Sequence, residues 1–331
     1  MNKNDKRIEF IDLAKGVCII LIILGHTGIA VDLPGLTAMR TPLYFALSGL
    51  FFKDYGGLQQ LFIRKCNKIL IPFLFFYIGS YAIFYACNAL FPGLIVSDAK
   101  GILDVFTQAQ YFNGPIWFLL ALFWCNIFFC IISLNINKEY LRCAIVVVMF
   151  AIGYLLEKES VFLPCMIDVS LVGMPFFYFG YILKRSSLLY PNKWDRYNTI
   201  FAILLFAVAY ATDKIFAPII YFHDKYISGN LLALAILSTT SVIALLLLCK
   251  VVKRLPVVSY IGRYSIIPLC THHLIYRPIQ LVVRGLPVSE TTGNCIVAAT
   301  TILLCMIAIP LCIKYLPYFT AQKDILKLHT K

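Results

Sequence analysis

The sequence predicts an all-α, polytopic membrane protein, a bundle of about ten transmembrane helices, and three observations predict it. The 331 residues are 61% hydrophobic and 14% charged, and their mean hydropathy is +0.84. The apolar residues also gather into runs of about 20, the length that crosses a bilayer. A soluble globule of this size needs more polar surface. No soluble domain interrupts the runs, so residues 1–331 are predicted to form a single membrane-embedded domain.

The first apolar run is predicted to be a retained helix, because Asp12 and Lys15 interrupt its start and no small-residue cleavage site follows it. The second run contains Pro42 and the Ser48-Gly49 pair, and the fifth is short. In order, the runs predict helices near 8–30, 36–53, 69–91, 114–134, 141–156, 169–184, 198–217, 229–250, 259–284 and 293–317.

The distribution of Lys and Arg indicates the orientation of these helices. Alternate loops hold 21 of these residues on one side and 7 on the other, with Lys15 set aside as intramembrane. Because cytoplasmic loops carry the excess of basic residues, both termini are predicted to be cytoplasmic and the protein to be a multi-pass protein of the cell inner membrane. The net charge of +13 is thereby explained as an orientation signal, and nucleic acid is not an expected partner.

The first run carries a polar stripe. At 100° and 1.5 Å per residue, Asp12, Lys15 and His26 fall within about 60° of one helical face, and Lys15 lies about 16 Å below His26. Ionisable side chains at bilayer depth are costly and usually mark functional sites. A helix-packing histidine is the alternative reading. Because the pKa of imidazole lies near neutrality, His26 is a candidate general base for a hydroxyl.

Two further clusters are candidates. His272 and His273 lie in the ninth run, where Pro268 is expected to break the helix. Arg64, Lys65 and Lys68 precede the third run, and their spacing fits either a positive-inside anchor or a clamp for a phosphate group. Lysine lacks the bidentate fork of arginine.

Other chemistries have no support in the sequence. It contains no HExxH motif, Walker loop or GxGxxG motif, so neither a metal site nor a permanently bound cofactor is expected. The twelve cysteines form no CxxC pair and are predicted to be small buried hydrophobes. The remaining histidines, His223 and His329, fall in an outer loop and in the C-terminal tail.

Taken together, these segments resemble the acyltransferase 3 family of integral membrane acyltransferases. The run formed by Arg7, Asp12, Lys15, Gly16 and His26 carries the resemblance, followed in order by PLYFALSGLFF, the basic stretch ending in Pro72, PIWFLLALF, FFYFGYIL and IGRYSIIPLCTHH. The DLAKG and LGH motifs are most similar to the fucose 4-O-acetylase-like branch of the family.

The resemblance implies an enzyme that moves an acyl group, most often acetyl, from cytoplasmic acyl-CoA to a sugar hydroxyl of a cell-envelope glycan, an exopolysaccharide or a lipid-linked precursor. It implies that Lys15 and His26 form the basic-x10-His pair, with His26 catalytic, and that His272 is the histidine seven residues after Ser265. Asp12 or Lys15 is expected to orient His26 or to hold polar groups of the donor.

It further implies that Lys65 and Lys68 stand in place of the family's two arginines and, with Arg64, bind CoA phosphate. Leu269 stands where the family often has tyrosine. Acetyl-CoA is thus the expected donor, and glycan and membrane lipids are the expected partners. A transporter or flippase of a glycan precursor is the alternative function, and a receptor-like binding domain is a third.

Overall fold

A computed structural model describes residues 8–29, 36, 38–91, 99–107, 111–186, 188, 190–222 and 226–327. Twelve α-helices make up most of it. They are α1 (Glu9–His26), α2 (Arg40–Leu50), α3 (Leu58–Lys65), α4 (Ile71–Leu90), α5 (Trp117–Asn135), α6 (Glu139–Lys158), α7 (Ile167–Leu183), α8 (Asn198–Phe216), α9 (Leu231–Val252), α10 (Pro256–Arg263), α11 (Ile266–Arg284) and α12 (Glu290–Tyr315). A short antiparallel hairpin, β1 (Ile219–Tyr221) and β2 (Tyr226–Ser228), joins α8 to α9.

Seven helical segments of the described chain are long and apolar enough to cross a membrane. They are Leu58–Leu90, Gly114–Asn135, Glu139–Lys158, Pro164–Leu183, Asp195–Phe216, Leu231–Val252 and Glu290–Tyr315. These seven coincide with predicted runs. The first, second and ninth runs form helices that do not meet that standard. The helix of the first run carries three charged residues, and the second run forms a helix of only 11 residues. The ninth run contains histidine, arginine and proline.

Two helix boundaries differ from the prediction. The third run begins earlier than residue 69, because α3 continues through a π-helical turn, Cys66–Leu70, into α4. The ninth run breaks between Arg263 and Ile266 and not at Pro268. Pro268 lies in the first turn of α11, where no backbone N–H is needed for the helical bonds.

The two ends of the described chain lie at the same end of the bundle. Glu9 at the start of α1 forms an ion pair with Arg254 just before α10. Leu316, after α12, packs with Tyr260 of α10. The C-terminal segment, residues 317–327, then reaches Asn67 beside α3. We call this end of the bundle the terminal face. It is the side predicted to be cytoplasmic.

Glycine allows two pairs of helices to touch through their backbones. A Cβ added to Gly262 of α10 would lie 1.8 Å from the carbonyl oxygen of Asp12, and one added to Gly16 would lie 1.9 Å from that of Val258. Gly49 of α2 and Gly180 of α7 make an equally close crossing. Small residues of this kind are how membrane helices approach closely enough to pack.

Replacing Gly262 with Ala is expected to separate α1 from α10, because the added methyl group meets backbone that cannot move aside. We expect a loss of about 1–3 kcal/mol of stability, as for other overpacked sites, measured as a lower thermal unfolding temperature in detergent. Gly79→Ala in α4 is the matched control, since nothing lies within 4 Å of its added Cβ. Equal unfolding temperatures for the two variants would contradict the backbone contact.

Candidate active site

Three histidines meet where the far end of α1 reaches α11. The ring centroid of His26 lies 5.4 Å from that of His272 and 6.1 Å from that of His273. Tyr276, one turn further along α11, stacks 6.3 Å from His26. His26 is exposed, whereas His272 and His273 are buried. We call these four residues the histidine cluster. Its arrangement leaves one accessible imidazole in front of two buried ones.

Backbone carbonyls of α11 hold the buried part of the cluster in place. His272 Nδ1 lies 2.6 Å from the carbonyl oxygen of Pro268. A carbonyl can only accept, so Nδ1 carries the proton and, in the neutral ring, Nε2 is left as an acceptor. Two residues along, the carbonyl of Cys270 accepts a 2.8 Å hydrogen bond from Asn113 Nδ2. Asn113 comes from the segment before α5 and thereby ties that segment to α11.

Buried polar atoms without partners concentrate here. Among the described residues, six buried side-chain nitrogen or oxygen atoms have no hydrogen-bond partner, and three of them are Asn113 Oδ1, His272 Nε2 and His273 Nδ1. We call these three the orphan atoms. An unsatisfied buried group costs about 1–3 kcal/mol. Several such groups in one place are therefore a feature of a binding site more than of a packed core.

The polar stripe of α1, formed by Asp12, Lys15 and His26, runs from near the start of the helix toward this cluster. Asp12 is buried, Lys15 is half-buried and His26 is exposed. The Lys15 carbonyl accepts a 3.0 Å hydrogen bond from the hydroxyl of Tyr44 in α2. The same Tyr44 hydroxyl lies near Ser265, in the break before α11. Tyr44 thus connects the stripe to α2 and lies close to the break.

The three residues of the basic cluster, Arg64, Lys65 and Lys68, have different surroundings. Arg64 is exposed and stacks over the ring of Tyr55, with its guanidinium carbon 4.3 Å from the centroid. Lys65 is half-buried. Lys68 turns toward the C-terminal segment, where its Nζ lies 2.7 Å from Asp324 Oδ1 and donates to the carbonyl of Ala321 at 2.9 Å. Two of the three cations therefore have partners that sequence spacing did not predict.

Asn67 anchors the C-terminal segment beside Lys68. This residue is 2% exposed. Its Nδ2 donates to the carbonyl of Leu326 at 2.8 Å, and its Oδ1 accepts from the backbone N–H groups of Ile325 and Leu326, each at 2.9 Å. Phe319 stacks on Phe75 of α4 with centroids 4.4 Å apart. The C-terminal segment therefore forms one wall of the basic cluster.

The histidine cluster, the polar stripe and the basic cluster lie within a match to a known family. Residues 8–310 match the model of the family described as an acyltransferase domain, Acyl_transf_3. The chain belongs to this family. This acyltransferase is a multi-pass membrane protein, as its apolar helices also indicate. No curated protein and no solved structure matches the chain.

Several site residues of the acyltransferase were not predicted. Asn113 and Tyr44 belong to the NGPIWFLLALFW and TPLYFALSGLFF stretches, which interrupt apolar sequence with polar groups, and this was the available signal. Across the described residues, no three His, Cys, Asp or Glu side chains are grouped to hold a metal ion. His223 and His329 lie outside the described residues.

Replacing Asn67 with Ala is expected to release the C-terminal segment of the acyltransferase, because it removes all three hydrogen bonds that hold residues 325 and 326. In limited trypsin digestion, cleavage at Lys323 should become faster than in the wild type. Asn126→Ala is the control. It also removes a buried, hydrogen-bonded amide, but one with no contact to the C-terminal segment. Equal cleavage rates in both variants would argue against the anchor.

Proposed function

We propose that this membrane acyltransferase is an O-acyltransferase that moves an acyl group, most simply acetyl, from cytoplasmic acyl-CoA to a hydroxyl of a cell-envelope or exopolysaccharide sugar. The observation that carries the proposal is the meeting of His26 with His272 and His273, at ring separations of 5.4 and 6.1 Å, inside a chain of the acyltransferase family. The fucose 4-O-acetylase-like wording of DLAKG and LGH supports a sugar hydroxyl as the acceptor.

In this proposal His26 removes the proton from the acceptor hydroxyl as it attacks the thioester carbonyl. The C–O bond forms, the C–S bond breaks, and the thiolate of CoA leaves and takes up a proton. His26 suits this role because it is the accessible member of the cluster. His272 assists, since its bond to the Pro268 carbonyl places the proton of the neutral ring on Nδ1 and leaves Nε2 free to accept. Asp12 and Lys15 hold polar parts of the donor or orient His26.

The acyl donor enters from the terminal face in this proposal. Arg64 and Lys65 bind the CoA phosphates, and the pantetheine arm follows the polar stripe, which rises about 16 Å between Lys15 and His26. Lys68 is paired with Asp324 and contributes less to the phosphate contact. The π-helical turn at Cys66–Leu70 supports a site here, because such turns in helices are frequent at functional sites.

Replacing His26 with Ala is expected to lower kcat/KM for acyl transfer by about 10²–10⁴, the usual contribution of a general base. Release of CoA from acetyl-CoA, dependent on a sugar acceptor, is measured with purified protein in detergent. Thermal unfolding of the variant should match that of the wild type, because the exposed ring contributes little to packing. Near-normal turnover by His26→Ala would refute the assignment of the base.

The same assay separates the enzyme from a carrier. Acceptor-dependent release of CoA supports the O-acyltransferase. Uptake of a labelled glycan precursor into vesicles containing the protein, with no release of CoA in their presence, would instead support a transporter.

Replacing Arg64 or Lys65 with Gln is expected to raise KM for acetyl-CoA about tenfold, since a hydrogen bond to a charged group contributes about 1.5–3 kcal/mol. KM for acetyl-pantetheine, which lacks the phosphates, should not change. Lys68→Gln should raise this KM less, because Lys68 is already paired with Asp324. Lys193→Gln is the control for net charge, since Lys193 is an exposed cation stacked on Trp194. Equal effects of all four changes would contradict a specific phosphate site.

A further inference from the structure

Asn113 is fixed in one orientation by the neighbouring helix. Its side chain is 0% exposed, and its Nδ2 donates to the carbonyl of Cys270 at 2.8 Å. Because only the nitrogen of an amide can donate, this bond determines which end of the group is the oxygen. Oδ1 is therefore turned away from Cys270, and within the described part of the chain it has no hydrogen-bond partner.

The surroundings of Asn113 bring its segment of the chain next to the histidine cluster. The next residue, Gly114, has no side chain, and His273 Nε2 lies 3.9 Å from the point that a Cβ on Gly114 would occupy. His272, two residues beyond Cys270 on α11, presents Nε2 as a second acceptor. Asn113 Oδ1 and His272 Nε2 are thus two acceptor atoms that the described protein does not satisfy. A ligand that brings N–H or O–H donors would satisfy them.

A second buried asparagine shows what a purely structural amide looks like in this bundle. Asn126 of α5 is also 0% exposed. Its Nδ2 donates to the carbonyl of Leu122 at 2.7 Å and to Ser48 Oγ at 3.1 Å, and its Oδ1 lies 3.5 Å from the same hydroxyl as acceptor. Both ends of Asn126 are used, whereas one end of Asn113 is not. Packing alone therefore accounts for Asn126 but not for Asn113.

We propose that Asn113 is a substrate-binding residue whose Oδ1 accepts a hydrogen bond from a donor group of a substrate bound at the histidine cluster. This inference rests on the proposed function, because it takes the cluster as the place of acyl transfer. Two groups share the required chemistry. One is an amide N–H of the pantetheine arm of the acyl donor, and the other is a hydroxyl of the sugar acceptor.

The test compares Asn113→Leu with Asn126→Leu in the full-length protein, using acetyl-CoA and monosaccharide acceptors. Asn113→Leu is expected to raise KM for one substrate about three- to tenfold, the value of one neutral hydrogen bond. A raised KM for acetyl-CoA identifies the pantetheine amide as the donor, and a raised KM for the sugar identifies its hydroxyl. Asn126→Leu should leave both KM values within about twofold of the wild type.

Thermal unfolding in detergent separates binding from folding. Asn113→Ala, which adds no bulk, is the second variant should the leucine variant not fold. If both KM values of the folded Asn113 variant equal those of the wild type, the inference is overturned. It is also overturned if activity falls only in proportion to the folded fraction, as for Asn126→Leu. If the wild type transfers no acyl group, the proposed function itself is refuted. In that case, a rise in unfolding temperature with acetyl-pantetheine in the wild type but not in the Asn113 variant still supports binding by Asn113.

Discussion

The backbone contact between Gly16 and Gly262 is the constraint on which the histidine cluster depends. His26 lies ten residues after Gly16, and His272 lies ten residues after Gly262. Ten residues of helix rise about 15 Å, so two helices that touch at the glycines and run in the same direction touch again at the histidines. A side chain at either glycine would separate the helices at the first contact and move the two rings apart at the second.

The break between α10 and α11 adapts this pairing to the site. Arg263 ends one helix and Ile266 begins the next, so α11 can take its own direction while keeping register with α1. Ser265 lies in the break near the hydroxyl of Tyr44, which donates to the Lys15 carbonyl. Tyr44 thus connects the polar stripe to α2 beside the break. The positions of the histidines follow from close packing near the terminal face, not from contacts between the rings themselves.

Most helices could be predicted from sequence because lipid and core burial both require long apolar runs. The exceptions have a common cause, namely that hydropathy reports composition and not hydrogen bonding. The segment Leu58–Lys65 is amphipathic and was not assigned to a helix, yet its backbone bonds continue through Cys66–Leu70 into α4. Pro268 was expected to break the ninth run, but a proline in a first turn removes no helical bond. The helix break in this run lies instead between Arg263 and Ile266.

The candidate site could be predicted only where its signal was local. His26 was identifiable because a titratable residue on one face of an apolar helix needs a reason. Asn113 was not, because its partner Cys270 is 157 residues away. The contacts of the basic cluster could not be predicted for the same reason. Helical spacing gives the direction of a side chain. The contacts with Asp324 and Tyr55, however, determine the positions of the Lys68 ammonium and the Arg64 guanidinium.

The hydrogen-bond partners of the buried polar side chains distinguish residues that hold this bundle together from residues left open for a ligand. Asn67 and Asn126 are buried amides with both ends bonded. The orphan atoms belong to one buried amide and two buried imidazoles, each with one end bonded or packed and the other unsatisfied. With about 1–3 kcal/mol for each unsatisfied group, keeping three of them together needs a compensating gain. A substrate with matching donors supplies that gain, and local rules of satisfaction are broken where a protein binds its ligand.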